Sequence, residues 1–91
     1  MSARKSIEER GARINWIWRT AAALSRDDGG KQLRSVLIQA VSNEYPAQRR
    51  TIDQWFDTLE NQGKMKFNHE SYEMLTWPSD IHPKQKKPED S

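Results

Sequence analysis

The stretch RRTIDQWFDTLENQGKMKF, residues 49–67, decides the fold because it holds a helix, its stop signal and the start of a strand. Four of its apolar residues recur at i, i+3, i+4 and i+7, the spacing that gathers them on one face of a helix: Ile52, Trp55, Phe56 and Leu59. Gly63 can take the left-handed conformation that ends a helix. The following KMKF, residues 64–67, alternates polar and apolar residues as a half-buried strand does. We therefore predict a helix to about Gln62 and then a strand.

Two helices are predicted before this stretch. Ser6 and Glu9 match the Ser-x-x-Glu capping box, so the first helix is expected to begin near Ile7 and to end before the glycine pair 29–30. The second is expected from about Lys31 to Asn43, because apolar residues there recur with helical spacing: Leu33, Val36, Leu37, Ala40 and Val41. Pro46 can begin the third helix, since its missing amide would be unpaired there.

A β-hairpin is predicted after Phe67. Residues 68–71 (NHES) are polar and turn-forming, and residues 72–77 (YEMLTW) are rich in aromatic and apolar side chains, which favour a returning strand. The alternative is a short helix capped by Asn68. Pro78 ends the element in either case.

Length and composition indicate one small domain with charged ends. Ninety-one residues can bury only roughly 60 to 65% of the unfolded surface. We expect a flexible basic arm at residues 1–5, a folded domain at 6–77 and a disordered charged tail at 78–91, where Ile81 is the one strongly apolar side chain.

Several classes of protein are disfavoured by composition. The chain has no cysteine, which argues against disulfides and thiolate metal sites and fits a cytoplasmic protein. No segment approaches the ~20 apolar residues of a membrane helix. The two histidines, His69 and His82, lack the neighbours that a metal site or a general base needs. We expect no enzymatic activity, no metal and no cofactor.

The positive charge is unevenly distributed. Residues 1–34 carry eight Lys or Arg against four Asp or Glu, whereas residues 44–91 carry seven against nine. The net charge of +2 is small, so a phosphate-binding surface would depend on local excess.

The predicted order of helix, helix, turn, helix and hairpin is that of a winged helix-turn-helix. LExxGKM at residues 59–65 resembles the junction between recognition helix and wing in many winged-helix regulators, and RTID at 50–53 resembles the start of their recognition helix. The resemblance covers residues 32–77 and identifies a superfamily. It implies an α+β, mostly helical fold with a two-stranded wing. The small strand that usually separates the first two helices has no obvious counterpart in residues 27–30.

A winged helix would bind double-stranded DNA with its third helix in the major groove. The side chains within reach of DNA at the start of that helix would be Gln48, Arg49, Arg50, Thr51 and Gln54. Lys64, Lys66 and His69 of the wing would neutralise phosphates, although lysines on edge strands also serve simply to prevent aggregation. The terminal cations would add unspecific contacts: Arg4, Lys5, Lys84, Lys86 and Lys87.

Two features favour protein partners. An acidic stripe runs along the third helix and consists of Asp53, Asp57 and Glu60. This stripe predicts an alternative function, in which the protein is an adaptor that binds a basic surface of another protein. Trp16 lies off the apolar face of the first helix, so it is a candidate for a homodimer interface. Coverage of Trp16 by Trp77 or by the C-terminal segment of the same chain is the alternative.

Overall fold

Three helices and a three-stranded antiparallel sheet make up the fold, which is α+β and mostly helical as predicted. The computed structural model describes the backbone of residues 2–83 and the side chains of residues 10–83. In chain order the elements are α1 (Ser2–Ser25), a 3-10 turn (Arg26–Asp28), β1 (Lys31–Leu33), α2 (Arg34–Glu44), α3 (Arg49–Asn61), β2 (Met65–Asn68) and β3 (Ser71–Met74).

The helix predicted to end near Gln62 and the β-hairpin predicted over residues 64–77 are confirmed, and the alternative of a short helix after Asn68 is wrong. The four apolar residues of α3 are all buried, and Gly63 has a φ of 75°. The Lys64 amide donates to the Leu59 carbonyl at 3.0 Å and the Gly63 amide to the Glu60 carbonyl at 3.0 Å, so the last carbonyls of the helix are paired. The helix begins at Arg49 and not at Pro46, because residue 48 still has an extended backbone.

A strand lies where the sequence predicted the start of the second helix. β1 pairs with β3, and the sheet order is β1-β3-β2. The Met74 amide donates to the Gly30 carbonyl at 2.8 Å, and the Arg34 amide donates to the Glu70 carbonyl at 2.8 Å. The prediction of a helix from Lys31 was therefore wrong. The predicted two-stranded hairpin is extended to three strands by β1, which follows directly after residues 27–30, where no strand was evident. Three residues are too few to show strand alternation, and their pairing partner lies about forty residues away in the chain.

The first helix begins earlier than predicted. α1 starts at Ser2 instead of Ile7, so the backbone of residues 2–5, expected to form a flexible arm, is helical. Residues 2–6 contain no proline or glycine to stop a helix, and Ser-x-x-Glu can lie inside a helix as well as at its start. The predicted end is confirmed: α1 ends at Ser25, whose buried hydroxyl donates to the Ala21 carbonyl at 2.7 Å.

The core lies between the helices and one face of the sheet. Its buried members outside α3 include Ile14, Ile17, Ala21, Leu37, Val41, Met65, Tyr72 and Met74. The Tyr72 ring stacks on that of Phe56, with centroids 5.0 Å apart, and burial raises the pKa of its hydroxyl to about 12. Leu33 and Val36, predicted on the buried face of the second helix, are exposed. Leu33 precedes that helix, whereas Val36 lies in its first turn on the solvent-facing side.

The segment after β3 packs back onto α1. Pro78 is buried and Ile81 contacts the core. Asp80 accepts two hydrogen bonds from the Arg19 guanidinium at 2.8 and 2.5 Å, and these lower the pKa of Asp80 and raise that of Arg19. Residues 78–83, which were expected to begin a disordered tail, thus contact α1 and the core, although a single apolar side chain did not indicate this contact. Residues 84–91, with the three tail lysines, lie outside the described residues.

Candidate nucleic-acid interface

A groove of about 550 Å³ opens between the start of α2, the start of α3 and the β2–β3 hairpin. Arg34, Arg49 and His69 contribute to its walls from these three places. Apolar side chains also line it: Leu33, Ile38 and Phe67. The groove brings together Arg49 and His69, which are predicted DNA-binding residues far apart in the sequence.

The solvent-facing ridge of α3 adjoins this groove. Its members lie opposite the buried face of the helix and are all exposed: Arg50, Gln54, Asp57 and Asn61. Arg50 forms no ion pair with any residue that the structure describes. Thr51 is half-buried, and Gln48 is exposed while its carbonyl accepts the Thr51 amide at 2.9 Å. Two of the five predicted residues, Arg50 and Gln54, therefore project freely from the helix.

Asp53 lies on the flank of α3 that faces the groove. Its Oδ1 atom accepts from Arg34 Nη2 at 2.7 Å and from Arg49 Nε at 3.2 Å. The Arg34 guanidinium also lies over the Phe67 ring, 5.2 Å from its centroid. Arg34 could not be recognised as a site residue from the sequence, because its partner is 19 residues away on another helix.

The acidic stripe is partly engaged within the fold. The Glu60 carboxylate accepts the Phe67 amide at 3.1 Å, and Phe67 lies on β2, an edge strand of the sheet. Asp53 is paired with two arginines. Asp57 is exposed and has no hydrogen bond or ion pair with a described residue. Only one of the three carboxylates therefore remains available without breaking an internal contact.

The hairpin loop consists of His69 and Glu70, between the paired residues Asn68 and Ser71. His69 has a φ of 61°, a left-handed conformation that costs a non-glycine residue energy. Its ring is exposed at the tip of the hairpin. Lys66 is also exposed, on the outer sheet face opposite Glu73.

Lys64 lies at the other end of the hairpin. Its Nζ atom is 4.2 Å from the centroid of the Trp18 ring, and its carbonyl accepts the Leu75 amide at 2.9 Å. The side chain is half-buried in this contact. The structure therefore does not place Lys64 in the groove with Arg49 and His69.

Trp16 has a neighbour in the same chain that the sequence did not reveal. Its ring meets Tyr45 edge to face with centroids 5.2 Å apart, and Tyr45 meets Trp55 at 6.5 Å. The Arg13 guanidinium lies 5.0 Å from the Tyr45 ring and 5.2 Å from the Trp55 ring. Trp16 is half-buried by these contacts, and neither Trp77 nor a second chain is needed to account for them. A homodimer through Trp16 stays a prediction.

Residues 10–83 were also searched for metal sites and for membrane-spanning helices. No cluster of three or more His, Asp or Glu side chains in this part of the chain could hold a metal ion. The described helices include none with the length and apolar character required to span a bilayer. Comparisons with protein-family models, with curated proteins and with solved structures found no match to this chain.

Proposed function

We propose that this protein binds double-stranded DNA as a small winged-helix regulator of transcription or replication. The observation that carries the proposal is the shared groove: Arg49 at the start of α3 and His69 at the hairpin tip both line it. Arg50, which follows Arg49 in the chain, is exposed and forms no ion pair with described residues. A helix start and a hairpin tip on one side can reach a major groove and the neighbouring backbone together.

The element order supports this proposal. Helix, strand, helix, helix and hairpin is the order of a winged helix, and β1 supplies the small strand that the sequence alone did not reveal. In such an arrangement α3 is the recognition helix. The hairpin is the wing.

The side chains divide into two chemical roles. Arg50 and Gln54 project from the ridge of α3, where a guanidinium can bond guanine and a carboxamide can bond adenine. Lys66 and His69 are exposed on the hairpin and would lie along the phosphates, where they add affinity without reading sequence. The unpaired amides at the start of α3 favour a phosphate as well.

The adaptor alternative is supported less well. It needs an acidic surface on α3, but Asp53 is bonded to two arginines and Glu60 to a backbone amide. A basic partner would have to compete with both contacts. Asp57 alone offers a free carboxylate to such a partner.

A titration of end-labelled 20-base-pair duplex, followed by anisotropy at 50 and 200 mM salt, tests DNA binding. About four phosphate contacts should cost about a hundredfold in affinity between the two salts. Replacement of both Arg49 and Arg50 by alanine should abolish most of the binding. The charge-matched control replaces Arg10 and Arg26, which are exposed but do not line the groove, and should bind nearly as wild type. Absence of salt-dependent binding, or equal loss in both double variants, would contradict the proposal.

A further inference from the structure

One carboxylate oxygen joins the two helices that form the groove. Oδ1 of Asp53 on α3 lies 2.7 Å from Nη2 of Arg34 on α2 and 3.2 Å from Nε of Arg49 on α3. Hydrogen bonds between charged groups are roughly twice as strong as those between neutral groups. Asp53 is thus the shared acceptor for two guanidinium groups on one groove wall.

The two arginines are held to different degrees. The Arg34 side chain is 31% exposed, lies over the Phe67 ring and has its Nε atom buried without a partner. The Arg49 side chain is 61% exposed and is fixed only through its Nε atom. Both terminal nitrogens of Arg49 therefore remain free, while the hydrogen bond from Nε to Asp53 orients the guanidinium group.

The charge and direction of this cluster suit a backbone phosphate. The two guanidinium groups and the one carboxylate give the Arg34–Asp53–Arg49 cluster itself a net charge of +1, and Glu70 lines the same groove nearby. The free Nη pair of Arg49 can bond two oxygens of one phosphate at once. Arg49 lies about 100° around the helix from Arg50, on the hairpin side and away from the ridge that would face the bases.

We infer that Asp53 is a positioning residue, which holds Arg34 and Arg49 as a clamp for one phosphate of the DNA backbone. The inference rests on the proposed DNA-binding function and adds a division of labour to it. The Arg34–Arg49 clamp fixes the register of the protein on DNA. Arg50 and Gln54 read the bases.

Substitution of Asp53 tests the clamp, because the clamp and simple charge repulsion predict opposite changes in DNA affinity. Removal of a carboxylate near DNA should tighten binding if only repulsion matters. Loss of positioning predicts the opposite: Asp53→Ala should weaken binding about fivefold at 150 mM salt and lower the salt slope by about 0.9, the share of one phosphate contact. The loss should be similar for duplexes of unrelated sequence, because a phosphate carries no sequence information.

Asp57→Ala is the matched control, since it removes the same charge from the same helix without touching an arginine. It should bind DNA as tightly as wild type or more tightly. Asp53→Asn, which keeps an acceptor oxygen but loses the charge, should fall between wild type and Asp53→Ala. A thermal denaturation curve of each variant fixes the folded fraction used to calculate affinity.

A double-mutant cycle completes the experiment. Arg49→Ala should cost about fivefold in the wild-type background and almost nothing in the Asp53→Ala background, because the two residues act as one unit. Should Asp53→Ala prove unfolded, the cycle is run with Asp53→Asn, where the Arg49→Ala loss should be reduced but not abolished.

Three results would overturn the clamp. Binding by Asp53→Ala as tight as that of Asp57→Ala would show that Asp53 positions nothing. A loss in Arg49→Ala that varies with duplex sequence would make Arg49 a base reader. Failure of the wild-type protein to bind any duplex would remove the proposed function and the clamp together, which distinguishes that outcome from the first two.

Discussion

The two ends of the sheet use the same types of residue in opposite ways. On the loop side of the Met65–Met74 pair, which we call the loop end, the exposed cation Lys66 of β2 forms no ion pair with a described residue, and neither does Arg50 at the start of α3. At the base end, where residues 75–83 return to α1, the cations are committed: Lys64 lies over Trp18, and Arg19 is bonded to Asp80.

The difference shows that a basic residue in a sequence marks a binding surface only if the fold leaves it free. Lys64 and Lys66 are only two positions apart, one just before β2 and one within it, and their sequence context is nearly the same. Trp18 takes one of them as an internal partner. At the base end the cations stabilise the fold through internal contacts. At the loop end they remain available to a ligand, and the proposed function depends on them.

The largest expected effect concerns the packing of residues 75–83 at the base end, which a substitution of Gly30 would disturb. This glycine has a φ of +87°, and a Cβ atom there would lie 3.1 Å from Cζ2 of Trp77. Gly30→Ala should lower the free energy of unfolding by about 2–4 kcal/mol, because a left-handed backbone and a steric overlap add together. Urea denaturation would measure the change.

Gly29→Ala serves as the control for backbone strain alone. Its φ is +69°, but a Cβ there meets no described atom within 4 Å, so the cost should be about 1–2 kcal/mol. Equal losses in the two variants would mean that Trp77 does not close the base end against Gly30.

The stability of the protein at alkaline pH tests the burial of Tyr72, whose side chain belongs to the core between the two ends. Tyr72 lies in the middle strand, and burial raises its pKa from 10.0 to about 12. The folded state keeps a proton that the unfolded state releases, so stability is complete below pH 10 and falls as pH rises towards 12, by about 2 kcal/mol. The free energy of unfolding of Tyr72→Phe should fall less steeply over this range. Parallel pH profiles for the two proteins would contradict the assignment.

The smallest effect separates the two lysines. Lys66→Gln should weaken DNA binding about fivefold at 150 mM salt and leave stability unchanged, as expected for one lost phosphate contact at the loop end. Lys64→Gln should leave DNA affinity unchanged and cost about 0.5–1 kcal/mol of stability through the lost contact with Trp18. A loss of affinity in both variants would remove the distinction between the two ends.

The sequence predicted those features that follow from the local periodicity of apolar residues. The buried face of α3 repeats over two helical turns, and a glycine and an alternating strand follow at once, so residues 49–67 predicted the helix, its end and the first strand of the hairpin. The apolar and aromatic residues 72–77 predicted the returning strand. Arg50, Gln54 and His69 could be placed at the surface for the same reason. Arg50 and Gln54 lie at a known phase of a helix, and His69 lies in the polar turn between two strands.

The features that were missed depend on partners distant in the chain. β1 is three residues long and is defined by its hydrogen bonds to β3. The Arg34–Asp53 contact joins two helices, and the Arg19–Asp80 contact joins residues 61 positions apart. No period within a single element encodes such pairs, so the groove wall and the docked segment 78–83 become visible only in three dimensions.

The placement of the four tryptophans has a practical consequence. Trp16 and Trp55 surround Tyr45, Trp18 and Trp77 lie at the base end, and none of the four lines the groove. Intrinsic indole emission should therefore follow unfolding closely while remaining almost silent when a ligand occupies the groove. A tryptophan introduced in place of Phe67 would supply the optical reporter that the natural chain lacks there.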